Sequence, residues 1–338
     1  MRLARTYLIA LIGVGLFYMA NLPLPWLLGP IFTSLVAALL GVQLQAFKPV
    51  HQASRTILGV AVGATITLAL LQSLFLMWPS LLLIIVMVIL IGAIGVPYFM
   101  KVGGYDLATS YYAAMPGGLQ DILVFGEEAG ANLRTLSLIH ATRVLVIVLV
   151  LPFLLTHIWH VDLSNPPGLP LREIAIDQLL WSAAAALLGW KIAARLGLFG
   201  ATILGPLIAA ACLSLTGILH MRPPAEAIWF AQFFIGAGLG VNYVGISFTE
   251  LKHDVWVACL FCVLLGIITM IFYEIITLLG IAPAMETLLA FTPGGQAEMT
   301  VLALVVGADM GFVIAHHVLR IFVVILGAPL VAKLMSKG

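Results

Sequence analysis

Charged residues are scarce in this sequence. Of its 338 residues, 9% are charged and 63% are hydrophobic, whereas an average soluble domain has roughly 25% charged residues. No soluble fold can bury so much apolar surface. The sequence therefore predicts an all-α integral membrane protein with little room for a soluble domain.

The sequence also lacks a clustered run of lysine and arginine, and its formal net charge is +1. Nucleic-acid binding needs a basic face, so no nucleic-acid partner is expected. The three cysteines, Cys212, Cys259 and Cys262, lie in apolar segments and are expected to act as small hydrophobic side chains. No nucleotide-binding, haem or nucleophile–base motif is present, so the sequence predicts no catalytic residue and no cofactor.

Apolar runs separated by glycine, proline and charged residues predict five long helices in each half of the chain. The first helix follows Arg2 and Arg5 but has no small-residue cleavage site after it, which favours an uncleaved helix over a signal peptide. The predicted helices lie near 7–22, 26–45, 56–74, 77–100 and 133–156 in the first half, and near 177–193, 199–219, 228–249, 255–280 and 310–332 in the second half.

The two halves match each other when shifted by 177 residues. Proline, arginine and histidine are among the matches, and apolar composition alone cannot supply them. A duplication is therefore predicted, with a first repeat at 1–156, a proline-rich linker at 157–176 and a second repeat at 177–338. The matched pairs include Gly59 with Gly236, Gly63 with Gly240, residues 116–118 with 293–295, Gly130 with Gly307, His140 with His317, Arg143 with Arg320, and Pro152 with Pro329.

Between the fourth and last helix of each half lies a segment interrupted by Pro-Gly-Gly, at 105–130 and 282–307. Interrupted backbone leaves N–H and C=O groups that lipid cannot satisfy, so it must be buried in protein or face water. This pattern predicts a broken or re-entrant helix. If the segment returns to its own side, each repeat has five crossings and the repeats are inverted, whereas a segment that crosses makes them parallel.

Counting lysine and arginine in the short loops favours the inverted arrangement. The total is then about 10 transmembrane helices and two broken or re-entrant segments. Only Arg172 and Arg222 fall outside in this arrangement. The residues placed inside are Arg2, Arg5, Lys48, Arg55, Lys101, Arg134, Lys191, Arg195, Lys252, Lys333 and Lys337.

Arg143 and Arg320 each lie about ten residues into an apolar final helix. A charge at that depth is costly, so such residues face a cavity or a partner. Helical geometry places each arginine on one face with the histidine three residues before it and, nearly so, with Asn132 or Asp309. Each final helix is therefore predicted to carry one polar stripe.

Asp121 and Glu298 follow the proline of each break by five residues and are the natural counterions of the arginines. Near the start of a helix the dipole favours a carboxylate, and the same helix end can bind an anionic substrate. The alternative is structural, with each acid only neutralising an arginine. The predicted substrate-binding residues are Pro116, Gly117, Gly118, Asp121, His140, Arg143, Pro293, Gly294, Gly295, Glu298, Asp309, His317 and Arg320.

His316 and His317, near Glu298 and Asp309 in sequence, raise the alternative of a metal site. Adjacent histidines point about 100° apart on a helix, and no His-x-x-x-His pair supplies a second ligand. No metal site is therefore predicted. The Gly-x-x-x-Gly spacings at 59–63 and 236–240 are expected to serve close helix packing.

The repeated Pro-Gly-Gly-x-x-(Asp/Glu) break followed by a His-x-x-Arg helix, at 116–143 and 293–320, resembles the bacterial AbrB-type membrane family over essentially the whole chain. The soluble DNA-binding regulator of the same name does not resemble this sequence. The resemblance implies a duplicated inner-membrane protein, and such proteins have been labelled ammonia monooxygenases and regulators of gene expression. A copper monooxygenase needs clustered imidazoles, but the eight histidines are scattered apart from 316 and 317, so an enzyme is not expected.

Inverted repeats with discontinuous helices are the arrangement of many secondary transporters. The sequence therefore predicts a transporter-like protein of the lipid bilayer with a central site for a small anionic or zwitterionic solute. The alternative is a membrane sensor that influences gene expression indirectly. Whether the protein forms a homo-oligomer is left open.

Overall fold

A computed structural model describes residues 2–68, 72, 77–163, 167–198, 201–245 and 251–335. These residues form α-helices and contain no strand, which confirms the all-α class. In chain order the helices are α1 (Arg2–Met19), α2 (Pro25–Leu39), α3 (Lys48–Gly63), α4 (Trp78–Lys101), α5 (Leu107–Ala114), α6 (Leu119–Glu128), α7 (Leu133–His157), α8 (Ile176–Arg195), α9 (Ala201–Leu215), α10 (Ala225–Val241), α11 (Trp256–Leu278), α12 (Ala284–Phe291), α13 (Gln296–Val306) and α14 (Met310–Met335).

Among the described residues, four helices are long and apolar enough to cross a membrane: α1, α4, α7, and α11 with the π turn before it. Helices α2, α9, α10 and the first part of α14 are apolar but shorter. Large apolar side chains are exposed on the long helices, for example Ile12 at 54% and Val263 at 61%. Such surfaces suit lipid, and the chain is therefore a membrane-embedded helical protein.

The predicted third helix, near 56–74, begins earlier than expected. Helix α3 starts at Lys48, with Pro49 in its first turn and no side-chain cap from Phe47. Proline is accepted there because the first N–H groups of a helix have no intrahelical partner. The first turns of α3 contain polar residues such as His51 and Arg55, so the apolar run in the sequence begins later than the helix. Most of 69–76 lies outside the described residues.

The helices group into two compact units, each taking segments from both predicted repeats. The first unit comprises Met1–Ser73, Leu149–Gly245 and Ala297–Gly311. The second unit comprises Leu74–Val148, Ile246–Gln296 and Phe312–Gly338. Each unit therefore depends on contacts between residues far apart in the sequence.

In the first unit, the glycines of α3 allow close contact with α9. A Cβ atom on Gly59 would meet the carbonyl oxygen of Ile203, and one on Gly63 would lie 2.7 Å from the Cβ of Ala210. Contacts that advance together along both helices mean that α3 and α9 run in the same direction. The predicted role of this spacing in helix packing is confirmed.

The glycines of α10 contact α2 in the same way. A Cβ atom on Gly236 would lie 2.5 Å from the carbonyl oxygen of Leu27, and one on Gly240 would lie 2.5 Å from the Cβ of Ser34. Helices α10 and α2 therefore also run in the same direction. By contrast, α1 and α2 run in opposite directions, since Gly29 packs on Gly13 and Thr33 donates to the carbonyl of Ile9 over 2.9 Å.

In the second unit, α4 packs against α11. The Tyr98 hydroxyl donates to the Val257 carbonyl over 2.8 Å, and the Phe99 and Phe261 rings are 4.6 Å apart between centroids. Just beyond α4, the Tyr105 hydroxyl donates to Asp254 over 2.8 Å. A Cβ atom on Gly95 would lie 3.0 Å from the Phe261 ring. From Gly95 through Tyr98 to Tyr105 the partners move back from Phe261 to Asp254, so α4 and α11 run in opposite directions.

Candidate functional site

Arg143, on α7, is held by the first Pro-Gly-Gly break. Its side chain is buried, and its two terminal nitrogens donate to the carbonyl oxygens of Met115, over 3.1 Å, and Gly117, over 3.0 Å. These carbonyls flank Pro116, and the Gly117 N–H also donates to Met115 over 2.9 Å. The guanidinium thus satisfies backbone groups that the interrupted helix leaves free in an apolar setting.

Arg320, on α14, makes the same contacts with the second break. It is also buried, and it donates to the carbonyl oxygens of Thr292 and Gly294, over 3.0 Å each. The Gly294 N–H donates to Thr292 over 2.9 Å. The two breaks, on either side of Pro116 and Pro293, therefore have the same local geometry and the same cationic partner.

The histidine one turn before each arginine contacts the short helix that leads into the break. His140 Nε2 lies 3.0 Å from the carbonyl oxygen of Tyr112, and His317 Nε2 lies 3.0 Å from that of Leu289. Both imidazoles are buried. They connect the last helix of each half to α5 and α12, which sets the depth at which the arginine meets the break.

The contacts of α7 show the direction in which the chain runs through the first broken segment. Tyr112 meets His140 and Met115 meets Arg143, so α5 and α7 run in the same direction. The backbone N–H of Asn132, just before α7, donates to the Thr109 hydroxyl oxygen over 2.9 Å. The chain between these two points therefore returns to the level at which it began.

The same reasoning applies to the second segment. Leu289 meets His317 and Thr292 meets Arg320, so α12 and α14 also run in the same direction. The connection between them must turn back as well. Gly130 and Gly307, which precede the last helices, have φ of 77° and 71°. Glycine adopts this left-handed conformation without steric cost, which explains why it occurs at both reversals.

Thr109 connects the two ends of the first broken segment, which we call the first hairpin (105–130). Asp106 caps α5 by accepting the N–H of Thr109 over 2.9 Å and its hydroxyl over 2.6 Å. Burial acts to raise the pKa of Asp106, but these Thr109 hydrogen bonds outweigh it, and the net pKa is lowered from its ordinary value. Asn132 caps α7, since its Oδ1 accepts the N–H groups of Arg134 and Thr135 over 3.2 Å each.

Small residues let the last helix of the second half approach the first break. A Cβ atom on Gly117 would lie 2.9 Å from Val324 of α14 and 3.0 Å from Ile122 of α6. Gly118 is the N-cap of α6, in an extended conformation. The equivalent second break continues through Gly295 into α13.

Arg143 and Arg320 lie in the same compact unit and within electrostatic reach of each other. The positive charge of Arg143 acts unfavourably on that of Arg320, and both charges are removed from water. The Nε atom of each is buried without a hydrogen-bond partner. The terminal nitrogens of both arginines are held by backbone carbonyl oxygens. The predicted pairing of the arginines with acids stays a prediction, since the Asp121 side chain lies outside the described residues.

The predicted acids have other surroundings. Asp121 lies in α6, but its side chain is outside the described residues. Glu298 is 4% exposed and belongs to the first unit, where the positive charge of Arg55 attracts it. Asp309 is exposed just before α14. Arg55 was not among the predicted site residues, because it lies in the polar start of α3, which the apolar-run search missed.

His316 serves packing between helices. Its Nδ1 lies 2.7 Å from the Phe312 carbonyl, and its Nε2 lies 2.9 Å from the Ser80 hydroxyl at the start of α4. Among the described residues, no group of three or more histidine, cysteine, aspartate or glutamate side chains is placed to hold a metal ion. Ser80 could not be found from sequence, since only the fold brings it to His316.

The model of the family described as "Transition state regulatory protein AbrB" matches residues 26–336. The chain belongs to the AbrB family. This confirms the resemblance of the two breaks and their arginine helices to that family, and it fits the apolar helical fold.

Two similar proteins carry different names. A Bacillus subtilis (strain 168) protein named "Uncharacterized protein YhjN" is 27% identical over 291 residues, which are 81% of this chain and 75% of that protein. An Escherichia coli (strain K12) protein named "Putative regulator AbrB" is 25% identical over 331 residues, which are 96% of this chain and 94% of that protein. The second name describes a regulator, and neither names a substrate.

Proposed function

We propose that this AbrB-family chain is a multi-pass inner-membrane protein that works as a secondary transporter and binds a small anionic or zwitterionic solute at a central polar site. One observation carries the proposal. Two buried arginines, equivalent in the two halves, lie in one compact unit, and their described partners are uncharged carbonyls. A negatively charged solute group would supply the opposite charge.

The proposed architecture consists of two inverted repeats with about ten crossings and two re-entrant hairpins. The opposite directions of α4 and α11, which occupy equivalent positions in the two halves, support inversion. The return of the chain between Thr109 and Asn132 supports a hairpin that re-enters from one side. In inverted repeats, the two hairpins enter from opposite faces, and their breaks meet near the midplane.

The chemistry of the arginine pair suits a carboxylate, phosphate or similar anion. A guanidinium offers five N–H donors in a planar fork, and two of its terminal nitrogens here are directed to backbone carbonyls. The carbonyls supply only partial negative charge, so these contacts by themselves do not neutralise either guanidinium. A zwitterionic solute would place its anionic end at the arginines and its cationic end at the carbonyl oxygens.

Asp121 and Glu298 are proposed to carry the coupling proton. A carboxyl group that is 4% exposed, as Glu298 is, is costly to ionise, and its protonation state depends on the nearby charge of Arg55. Opening the site to either side of the membrane would change that balance. On this proposal, Glu298→Gln abolishes acceleration of uptake by a pH gradient but leaves solute binding intact.

Uptake by purified protein in proteoliposomes tests the proposal. Carboxylates, amino acids, phosphate, ammonium and metal ions would be compared, and we expect saturable uptake of an anionic or zwitterionic member. Arg320→Gln should abolish that uptake, and Arg320→Lys should reduce it because lysine keeps the charge but loses the fork. Arg172→Gln is the control, since the Arg172 side chain is 85% exposed and lies in the predicted linker between the repeats.

Flat results for every solute, with protein that elutes as a single folded species, would refute transport. Topology is tested separately with single cysteines at Lys48 and Lys252 in a background that lacks Cys212, Cys259 and Cys262. Inverted repeats place both positions on the same side for a membrane-impermeant maleimide. Labelling from opposite sides would support parallel repeats and contradict the proposed architecture.

A membrane sensor is the second candidate, and the name of the Escherichia coli relative favours it. A sensor would bind the solute at the same arginines and alter gene expression through a partner protein. Solute binding without flux, together with loss of a transcriptional response in Arg143→Gln, would favour this function. We do not propose an enzyme, because the histidines of the site are engaged with backbone carbonyls.

A further inference from the structure

A polar cavity lies in the first unit, and none of the residues of the arginine site lines it. Its volume is about 530 Å³, and its walls come from the turn between α1 and α2, the end of α7, the linker and α10. Cavities of roughly 300–1,000 Å³ are typical of small-molecule sites. The cavity is therefore large enough for a metabolite-sized ligand.

Five of the residues that line this cavity are phenylalanine, tyrosine or tryptophan. Trp26 and Trp229 stack with 6.3 Å between centroids and 18° between planes, and the Trp26 indole N–H donates to the Tyr18 hydroxyl over 2.9 Å. Phe17 and Phe153 complete the aromatic lining. The faces of such rings carry partial negative charge and attract cations.

The formal charge of the lining has one sign. Asp162 contributes a carboxylate, and the described lining residues include His157 but no lysine or arginine. Thr156, Asn21 and Gln232 add neutral hydrogen-bonding groups. An anionic ligand would find no fixed positive charge here, whereas a cation would meet both the carboxylate and the rings.

The turn that forms one wall has an unusual backbone. Asn21 and Leu24 have φ of 49° and 48°, in the left-handed region of backbone conformation that residues other than glycine rarely adopt. Leu24 is nevertheless 4% exposed, so packing holds it there. This conformation carries the chain directly from Tyr18 to Trp26, and it places the two aromatic residues within hydrogen-bonding distance.

We propose that this cavity binds an organic cation, in particular an ammonium or quaternary ammonium group, between the aromatic walls and Asp162. The cation can be a free solute or the headgroup of a lipid. The site shares no residue with the proposed anion site at the arginine pair and does not depend on the transport proposal. Its neutral polar groups would orient hydroxyls or amides attached to the cationic centre.

Choline binding to the full-length protein in phosphatidylglycerol nanodiscs tests this proposal. Tryptophan fluorescence and titration calorimetry should both report saturable binding, with the neutral isostere 3,3-dimethylbutan-1-ol binding much more weakly. Asp162→Asn should weaken choline binding about tenfold, since loss of a charge partner of this kind is worth ~1.4 kcal/mol. Glu173→Gln removes a negative charge from the same linker region outside the cavity and should leave binding unchanged.

Trp229→Leu should also weaken choline binding, while thermal unfolding in the absence of choline shows that the variant remains folded. Equal binding of choline and its neutral isostere, or unchanged binding in Asp162→Asn, would overturn the proposal, as would absence of binding. Phosphatidylcholine nanodiscs separate the two sources of the cation. Competition there supports a lipid headgroup, and unchanged affinity supports a free solute.

Discussion

If Arg143 and Arg320 are close and not neutralised, replacing them should have effects on stability that do not add. Arg143→Met and Arg320→Met keep the length of the side chain but remove its charge and donors. Each replacement loses two hydrogen bonds to carbonyls. At ~1.5–3 kcal/mol for each hydrogen bond to a charged group, the loss is about 3–6 kcal/mol.

The first replacement also removes the repulsion between the arginines. Coulomb's law with an effective dielectric constant near 20 gives about 2 kcal/mol for two unit charges roughly 8 Å apart. The first replacement should therefore cost about 1–4 kcal/mol net, and the second, made after the repulsion has gone, should cost the full 3–6 kcal/mol. The double variant should be less stable than the sum of the two single variants by about 2 kcal/mol.

Equilibrium unfolding in detergent of the four proteins of this cycle measures the difference. Arg143→Met with Arg172→Met is the matched control, because the Arg172 side chain is 85% exposed and belongs to the other compact unit. That control pair should be additive to within about 0.5 kcal/mol. Additivity of Arg143→Met and Arg320→Met would mean that each guanidinium is neutralised separately, which would refute the reasoning behind the anion site.

Two further predictions concern helix packing and the base of the hairpin. Gly236→Ala should destabilise the protein by about 1–3 kcal/mol through overpacking, since its Cβ would lie 2.5 Å from the Leu27 carbonyl oxygen. Gly266→Ala is the control and should be neutral or stabilising, because no atom lies within 4 Å of its Cβ. Equal melting temperatures of the two variants would contradict the packing of α10 on α2. Because the pKa of Asp106 is lowered in the folded protein, the stability that this carboxylate contributes is present above its unfolded pKa and is lost as pH falls through its folded pKa. Acid unfolding of Asp106→Asn should therefore lack this loss of stability. An acid unfolding profile that Asp106→Asn leaves unchanged would exclude the Thr109 hydrogen bonds as the cause of the lowered pKa.

Local chemistry allowed much of this fold to be predicted from sequence. Low charge predicted apolar helices, and Pro-Gly-Gly predicted both interruptions. The spacing of Gly59 and Gly63 predicted close helix packing, although not that α9 is the partner. The start of α3 was misplaced because its first turns are polar, and apolar runs do not report a polar helix start.

The partners of the arginines could not be predicted from side-chain patterns. The search for a counterion considered carboxylates, whereas the groups that hold Arg143 are the backbone oxygens of Met115 and Gly117. Carbonyl groups occur at every residue, so sequence does not single them out. The contacts of Thr109 with Asn132 and of Ser80 with His316 likewise arise only after distant segments come together.

The carbonyl contacts also suggest how solute binding and backbone conformation are linked in the proposed transporter. Each break needs its arginine to satisfy two carbonyl oxygens, and a solute anion needs the same guanidinium donors. Binding at Arg143 or Arg320 would therefore weaken the hold on Met115 and Gly117, or on Thr292 and Gly294. Because a ligand shifts a conformational equilibrium only through different affinities for its two states, this competition would give the solute a direct influence on how the hairpins pack.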